Sequence, residues 1–390
     1  MTSPHIKGAC PSLYAPMAAG DGLLLRVKPR AGGLSAAQLH QLADAGAAFG
    51  NGQVSLTNRG NFQLRGFTAT SAVEFARAMQ AAGLASASPA TEQRRNLLVG
   101  VTSDDSVMLL ARRLESWLEE DESLAALPAK FGFAVGVISA QADISILPGE
   151  SAEIWLPGGV FCRTTDPLAA VKALTSAFLR LRAQATPQPS RMRACCAADG
   201  AARVLAAAGL VAQASATTRT LPEMTDGAAL ALPFGLQPVR MLEHAATLAA
   251  RFGPGSLAIN AARQLVLKTF GPAARHELEA AAAALGFITQ ATDPRLRITV
   301  CAGWPACPSG LVDSQALATV LAPHWRGPGI LHVSGCAKGC AHPGAATTLV
   351  GTNAAERYDF IAHGTASAPT PHRGISIARV IQRLTEMAHT

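Results

Sequence analysis

Four cysteines near the end of the chain form two close pairs. In the stretch "CAGWPAC" five residues separate Cys301 from Cys307, and in "CAKGC" three residues separate Cys336 from Cys340. Thiolates in two such pairs are typical ligands of a metal centre. Structural zinc prefers gaps of roughly two to four residues, whereas a 4Fe–4S cluster is broader and is also held by four thiolates. The spacing favours the cluster, with zinc or four unrelated thiols as alternatives.

The residues beside these cysteines also suit an iron–sulfur cluster. Gly303, Gly335 and Gly339 carry no side chain, so backbone N–H groups can approach the cluster sulfurs closely. Lys338 would offset part of the cluster's negative charge. We therefore predict a metal site made by the last hundred or so residues.

The composition is that of a globular chain. Its 390 residues, 49% of them hydrophobic, suffice for two or three domains with full-sized cores. The first residues show no apolar run behind a basic start, and no stretch approaches the roughly 18 apolar residues of a membrane helix. The eight cysteines are too dispersed for a secreted disulfide framework. We therefore expect a cytoplasmic protein with no membrane partner.

The charge balance limits the class of ligand. The formal net charge is +7, but Lys and Arg form no block and aromatic residues make up only 5% of the chain. Nucleic-acid binding usually combines a basic face with stacking rings, so a nucleic-acid partner is not expected. A small polyanionic ligand fits the scattered basic residues equally well.

The elements that must position these cysteines occur in two copies. In the first copy "GLLLRV" predicts a strand, "LSAAQLHQLADAGAAF" a helix with Ser35 at its N-cap, and "QVSLTNRGNFQLRGF" two strands around a turn at residues 58–60. A similar pattern recurs 203 residues later, and a second helix follows each copy. The matching pairs are Phe49 and Phe252, Gly50 and Gly253, Gly52 and Gly255, Leu56 and Ile259, and Leu64 and Leu267. Each copy is typical of half of a ferredoxin-like β-α-β unit.

A longer mixed segment follows each copy, which divides the chain into five predicted segments. These are a first ferredoxin-like half-domain at 15–85, a first α/β lobe at 90–182, a linker or surface excursion at 183–229, a second half-domain at 230–292, and a second lobe at 293–390. The cluster cysteines all lie in the last of these segments.

Several motifs together resemble one superfamily. Cys-x5-Cys followed by Cys-x3-Cys, placed after a duplicated ferredoxin-like half-domain, is similar to the sulfite and nitrite reductases, and "LTNRGNFQL" resembles the arginine-containing turn of their first repeat. "GACPSLYAPMAAGDGLLLRV" and "HVSGCAKGCAHP" more closely resemble the precorrin-3B synthase family within that superfamily. The resemblance covers almost the whole chain. It implies an α+β fold in which two ferredoxin-like half-domains pack about a pseudo-twofold axis with two larger α/β lobes.

The resemblance also implies a reaction and its partners. Members of this family are O2- and NADH-dependent monooxygenases of cobalamin biosynthesis, which hydroxylate precorrin-3A at C20 and close a γ-lactone. They hold a 4Fe–4S cluster, and a mononuclear non-haem iron is implied as well. The chain has no GxGxxG fingerprint, so NADH-derived electrons are expected through a separate reductase. A sirohaem-dependent sulfite or nitrite reductase, and a non-enzymatic cluster carrier or tetrapyrrole scaffold, are the alternatives.

The superfamily's anion-binding positions can be matched to residues of this chain. Arg26, Arg59, Arg95 and Lys130 stand where the superfamily has cations, and the resemblance implies that they bind the carboxylates of the tetrapyrrole. The reductases show Lys-x-Lys at the last of these positions, whereas this chain has Gly132 in place of the second lysine. The missing cation weakens the expectation of sulfite or nitrite reduction.

Other candidate ligands carry weaker signals. His332 and His342 flank the second cysteine pair and are the candidates for the mononuclear iron, although no 2-His-1-carboxylate pattern is visible near them. Cys10 lies in a family motif without a partner. Cys162, Cys195 and Cys196 are interpreted as incidental thiols.

Overall fold

The computed structural model describes residues 11–31, 33–102, 104–214, 224 and 227–387. The first half of the chain begins with a small α+β unit. Its strands and helices are β1 (Met17–Ala19), β2 (Gly22–Val27), β3 (Leu34–Ser35), α1 (Ala36–Phe49), β4 (Gln53–Leu56), β5 (Phe62–Phe67), α2 (Ala69–Ala81) and α3 (Pro89–Arg94). The lobe that follows contains β6 (Leu97–Val99), α4 (Asp105–Glu120), a 3-10 helix (Glu122–Ala126), β7 (Phe133–Val135), β8 (Ile144–Leu147), β9 (Ala152–Trp155), β10 (Val160–Thr164), α5 (Pro167–Gln184), α6 (Met192–Asp199), α7 (Ala201–Ala207) and β11 (Gln213–Ala214).

The second half repeats this plan. Its first unit consists of β12 (Gly227–Ala231), β13 (Leu236–Pro238), α8 (Arg240–Phe252), β14 (Ser256–Ile259), β15 (Gln264–Lys268) and α9 (Pro272–Ala284). Its lobe contains a 3-10 helix (Pro294–Arg297), β16 (Ile298–Val300), α10 (Ser314–Leu321), a 3-10 helix (Ala322–His324), β17 (Leu331–Ser334), β18 (Ala346–Gly351), β19 (Arg357–Gly364), β20 (His372–Ser376) and α11 (Ile377–Met387).

Local sequence explains the repeated unit. Ser35 caps α1 by accepting a hydrogen bond from the backbone N–H of Gln38, and the Gln38 side chain accepts one from the Ser35 N–H, as a capping box requires. After each central helix, the first glycine of Phe-Gly-x-Gly has no room for a side chain. A Cβ would lie 2.6 Å from the Arg65 carbonyl oxygen at Gly50 and 1.8 Å from that of Lys268 at Gly253. The shared turn therefore reflects close packing of each helix end on the next strand.

The two half-domain sheets exchange strands. β3 of the first half pairs with β14 in the sheet β12-β15-β14-β3, and β13 of the second half pairs with β4 in the sheet β1-β2-β5-β4-β13. The helices α1 and α8 pack against each other beneath these sheets. Buried side chains of both halves, such as Leu39, Phe75 and Leu242, belong to one continuous core. The two halves are therefore one folded body about a pseudo-twofold axis.

The lobes are duplicated as well, although the internal sequence match was confined to the half-domains. In the first lobe β6, β7 and β8 run parallel and β9 and β10 follow antiparallel, and β16 to β20 repeat that order in the second lobe. Each lobe has its own hydrophobic core. Within the described residues, no helix is long and apolar enough to cross a membrane.

Within the predicted linker, 183–229, residues 183–214 are a packed part of the first lobe, and residues 227–229 already belong to β12. Met192, Cys195, Val204 and Leu205 are buried in the core of that lobe, and β11 adds an edge strand to its sheet. The two short helices of this segment, α6 and α7, were not predicted. The segment is rich in alanine, which gives little contrast between a buried and an exposed face. The other segment boundaries stay predictions.

Candidate functional site

The structure places the two cysteine pairs at one edge of the second lobe. Cys301 directly follows β16, and Cys336 comes two residues after β17. Because these strands are parallel neighbours, with Val300 opposite Val333, their carboxyl ends lie side by side. All four cysteines are free thiols, and Cys340 is the exposed one.

The backbone around Cys301 is closely packed, and one backbone N–H group points at its sulfur atom. The N–H of Gly335 donates to the Sγ of Cys301 over 3.0 Å, and the Ser314 hydroxyl lies 3.4 Å from the same sulfur. Gly303 has a φ of +64°, and a Cβ there would lie 2.6 Å from the Ser314 nitrogen. Of the three glycines predicted to allow close approach, Gly335 therefore directs its N–H at the sulfur of Cys301.

The four thiols influence one another electrostatically. The pKa of Cys336 is raised mainly by burial, and the charges of Cys301, Cys307 and Cys340 raise it further, while a backbone hydrogen bond at Lys338 opposes the shift. Among the described residues, no group of three or more Cys, His, Asp or Glu side chains is arranged to hold a single metal ion. A cluster binds each cysteine through a different iron, so it needs a wider spacing than one ion does. The 4Fe–4S cluster stays a prediction.

A cavity of about 620 Å³ opens beside the two cysteine loops, residues 301–307 and 336–340. Its lining includes Ala302, directly after Cys301, and Ala341 and His342, directly after Cys340. The rest of the lining comes from β2, β4 and β5 of the first half-domain, from the turns at 232–236 and 262–263 of the second, and from the start of the second lobe. Its size lies in the range of cavities that hold cofactors and small ligands.

The side chains that line this cavity give it a positive charge. Among the described residues the lining includes four arginines and no aspartate or glutamate; the arginines are Arg26, Arg65, Arg263 and Arg295. Arg65 is bound by Asp21 at 2.9 Å, and it donates to the carbonyl oxygen of Ala306 in the first cysteine loop. Arg295 is bound by Asp293 at 2.7 Å. The cavity therefore presents guanidinium groups that suit an anionic ligand, although two of the four are already ion-paired within the protein.

The comparisons with known proteins agree with this arrangement. Residues 15–82 match the family described as the nitrite/sulfite reductase ferredoxin-like half domain. A protein from a Sinorhizobium species named precorrin-3B synthase is 30% identical over 414 aligned positions, covering 95% of this chain and 87% of that protein. The chain belongs to the precorrin-3B synthase family.

A solved structure shows the same fold. The NirA protein of Mycobacterium tuberculosis superimposes with a TM-score of 0.65 over 93% of this chain and 79% of that chain, at 16% sequence identity. The predicted fold, a duplicated nitrite/sulfite reductase fold with ferredoxin-like half-domains, is confirmed. The precorrin-3B synthase family thus shares its architecture with the reductase superfamily.

Two of the predicted basic residues of this family member lie at cavities. Arg26 is on β2 and lines the large cavity, where its Nη2 is 3.4 Å from Oε1 of its cross-strand neighbour Gln63. Arg59, in the turn between β4 and β5, lines a separate cavity of about 20 Å³ together with Gly132. Lys130 is half-buried and does not line either cavity.

The third predicted arginine, Arg95, lies inside the protein. Its side chain is 1% exposed, with Nη1 2.5 Å from Oε2 of Glu92 and Nη2 3.0 Å from Oε1 of Glu115. The same Nη2 also donates to the carbonyl oxygen of Lys28 over 3.2 Å. Arg95 does not line the large cavity. Its guanidinium instead binds the carboxylates and the carbonyl oxygen just described. The structure therefore places it in an ion-pair network that joins β2, α3 and α4.

Lys28 is a buried cation near these arginines that no sequence motif had indicated. Lys28 is 5% exposed, and its Nζ donates to the carbonyl oxygens of Glu92 at 2.7 Å and Gln93 at 3.3 Å. Burial lowers its pKa to about 8; Arg95 adds to this effect, whereas the charge of Glu92 opposes it. Arg26 and Arg59 lower it slightly further. Lys28 is therefore close enough to three of the predicted arginines, Arg26, Arg59 and Arg95, for their charges to lower its pKa.

We expect Lys28 to make the stability of the protein depend on pH. An unfolded lysine has a pKa near 10.5 and the folded one about 8, so between these values the unfolded state binds more protons. The free energy of unfolding should therefore rise as pH increases from 8 to 10.5, by about 2 to 3 kcal/mol from this group. Urea titrations of the wild type and of Lys28→Met at several pH values measure the slope. Identical slopes in both proteins would contradict the assignment.

The two predicted iron ligands lie close to each other, and His342 lines the large cavity beside the second cysteine pair. The rings of His332 and His342 are 5.8 Å apart between centroids. His332 is fully buried, and neither ring nitrogen has a hydrogen-bond partner among the described residues. Burial, and then the charge of His342, lowers the pKa of His332 to about 4. The pair belongs to no group of metal-binding side chains in the described part of the chain, and the mononuclear iron stays a prediction.

The remaining cysteines lie apart from this site. Cys162 and Cys195 are buried in the core of the first lobe, and Cys196 packs against that core. Burial raises the pKa of Cys162 and of Cys196 to about 11, which makes these thiols poor nucleophiles. Cys10 lies outside the described residues.

Proposed function

We propose that this chain is a precorrin-3B synthase, which uses O2 and two NADH-derived electrons to convert precorrin-3A to precorrin-3B. One oxygen atom enters the macrocycle as a hydroxyl group at C20, the other leaves as water, and an acetate side chain closes a γ-lactone. The observation that carries this proposal is the cavity of about 620 Å³ that adjoins both cysteine pairs and whose described lining includes four arginines and no carboxylate. The family membership supports it independently.

The charge of the cavity supports a tetrapyrrole substrate. Precorrins carry many carboxylate groups, and arginine binds carboxylates through two parallel charge-assisted hydrogen bonds. Arg26 and Arg263 come from different half-domains, so they can hold carboxylates on different sides of a macrocycle. Buried carboxylates among the lining residues would repel such a ligand, and the described lining contains none.

We also propose that Cys301, Cys307, Cys336 and Cys340 hold a 4Fe–4S cluster. Such a cluster stores and passes single electrons when bound. The Gly335 N–H that donates to the Cys301 sulfur would tune it, because hydrogen bonds to the ligating sulfurs raise the reduction potential of a cluster. Cys340 is exposed, so its edge of the site is accessible to a separate reductase that delivers NADH-derived electrons.

The surroundings of Gly132 support the synthase over a sirohaem-dependent reductase. The N–H of Gly132 donates to Oδ2 of Asp143, and a Cβ there would lie only 3.3 Å from the Asn96 carbonyl oxygen. The cation that sulfite and nitrite reductases would use at this place is absent, and even a small side chain is crowded. Oriented cations contribute much of the stabilisation when bonds to an anionic oxygen break, so the small cavity that Gly132 lines lacks one donor that such reduction would use.

Isotope labelling tests the proposed reaction. Incubation of the reconstituted protein with precorrin-3A, a reductase system and 18O2 should give a product that contains one labelled oxygen at C20, measured by mass spectrometry. Sulfite and nitrite should be reduced negligibly with an artificial electron donor. Label that enters from water, or rapid sulfite reduction by protein loaded with sirohaem, would contradict the proposal.

A further inference from the structure

Two residues that line the large cavity have an unusual backbone conformation. Three non-glycine residues in the described part of the chain have positive φ: Phe234 at 58°, Arg263 at 63° and Glu356 at 54°. Phe234 and Arg263 both line the cavity. The left-handed region is unfavourable for residues with a Cβ, and outliers of this kind concentrate at functional sites.

The turn that contains Arg263 is equivalent to a turn in the first half-domain. Arg263 donates its N–H to the carbonyl oxygen of Asn260 at 3.1 Å, as Gly60 does to Thr57 at 3.1 Å. The residue after it, Gln264, donates to the Asn260 side chain just as Asn61 donates to the Thr57 hydroxyl. The closing bonds from Asn260 to Gln264 and from Thr57 to Asn61 match as well, at 3.1 and 2.9 Å. The offset of 203 residues therefore places Arg263 on Gly60.

This equivalence shows what the turn requires and where the second copy departs from it. Gly60 has a φ of 69°, so the conformation of the turn demands a left-handed residue at this position. A Cβ at Gly60 would lie 3.2 Å from the side chain of Leu98, whereas Arg263 is exposed at the cavity. The second half-domain thus keeps the strained conformation but places the longest cationic side chain in it.

The four cavity arginines differ in what they already bind. Arg65 and Arg295 are paired with Asp21 and Asp293, and Arg26 contacts Gln63. The hydrogen bond of Arg263 within the described part of the chain is made by its backbone. Its guanidinium is therefore available to an anionic ligand without the loss of an internal ion pair.

We propose that Arg263 is a substrate-specificity residue that binds a carboxylate of the tetrapyrrole. The inference rests on the proposed function and deepens it. The hydrogen-bonded turn fixes the backbone, and the left-handed conformation sets the direction in which the side chain leaves it. Strain that gives no benefit to folding is explained when the same residue is needed for binding.

Equilibrium titration with precorrin-3A under nitrogen, followed by absorbance, tests this assignment on the full chain. Arg263→Gly should weaken binding about 10- to 100-fold, the effect of losing one charge-assisted hydrogen-bonded pair. Arg263→Lys keeps the charge but not the paired geometry, so it should recover part of the loss. Arg77→Ala, which removes an exposed charge on α2, is the matched control and should bind like the wild type.

Thermal unfolding separates binding from a structural role. Since glycine accepts a positive φ, Arg263→Gly should unfold at the same temperature as the wild type or higher while binding more weakly. A lowered melting temperature, or wild-type affinity in Arg263→Gly, would overturn the inference and leave the proposed function standing. Failure of the wild type itself to bind precorrin-3A would overturn both.

Discussion

Replacing any one of Cys301, Cys307, Cys336 and Cys340 with serine is expected to remove cluster iron and acid-labile sulfide from the protein almost completely. A serine hydroxyl ligates iron poorly at neutral pH because it stays protonated where a thiol coordinated to a metal loses its proton. Loss at Cys301 should be the most severe, because its sulfur also accepts the Gly335 N–H and contacts Ser314. Chemical assays for iron and sulfide, with the absorbance of the anaerobic protein, measure the result.

Cys195→Ser is the matched control for this prediction. Cys195 is a buried thiol in the first lobe, far in the fold from the second lobe that holds the four cysteines. The control should keep its full content of iron and sulfide. Stoichiometric zinc without acid-labile sulfide in the wild type, isolated anaerobically, would show that the cluster assignment is wrong.

The sequence was informative wherever local chemistry decides structure. The Ser35 N-cap, the apolar stretch in "GLLLRV" and the turn at 58–60 indicated the first helix, strand and hairpin, and the structure confirms them at Ala36–Phe49, Gly22–Val27 and the β4–β5 pair. These features depend on residues close together in the chain. The resemblance of the cysteine motifs placed the chain in its superfamily, which the comparisons confirm.

Features that depend on distant contacts were beyond the sequence. β3 and β13 each have only two or three residues, and each pairs with a strand roughly 200 residues away, so no local pattern marks the exchange. The duplicated order of the lobe strands has the same cause. Arg263 illustrates a signal that was present but unused, because the offset of 203 residues aligns it with a glycine. The clue was an arginine at the position where the first copy has a glycine in the left-handed conformation.

Arg95 shows why motif position alone does not establish that a residue contacts the ligand. By its place in the chain it was predicted to bind a substrate carboxylate, but Glu92 and Glu115 from this chain occupy its guanidinium. Glu92 is only three residues from Arg95, in α3, but Glu115 comes from α4, which reaches Arg95 only when α4 packs on α3 in the folded state. An internal carboxylate and a ligand carboxylate are chemically alike, so the sequence cannot tell which one an arginine meets.

The structure therefore predicts that Arg95→Ala acts on stability. The substitution leaves the Glu92 carboxylate, 1% exposed, without its cation, and it removes the donor to the Lys28 carbonyl oxygen. Removing one member of a buried ion pair costs roughly 3 to 5 kcal/mol, because the remaining charge is left uncompensated in the interior. Urea unfolding of the purified protein measures this loss. Arg77→Ala breaks an exposed pair with Glu74 and should cost at most about 1 kcal/mol.

A second variant keeps the prediction testable if Arg95→Ala fails to fold. The Arg95→Met, Glu92→Gln double variant removes both members of the fully buried pair and leaves Glu115 with Arg30, so the loss should be smaller than in Arg95→Ala. Arg95 would then be a residue that holds α3 against β2 and α4, and through Lys28 keeps the strand that carries Arg26 in place. If Arg95→Ala instead unfolds like the wild type and binds precorrin-3A at least tenfold more weakly, Arg95 returns to the substrate site and the network is secondary.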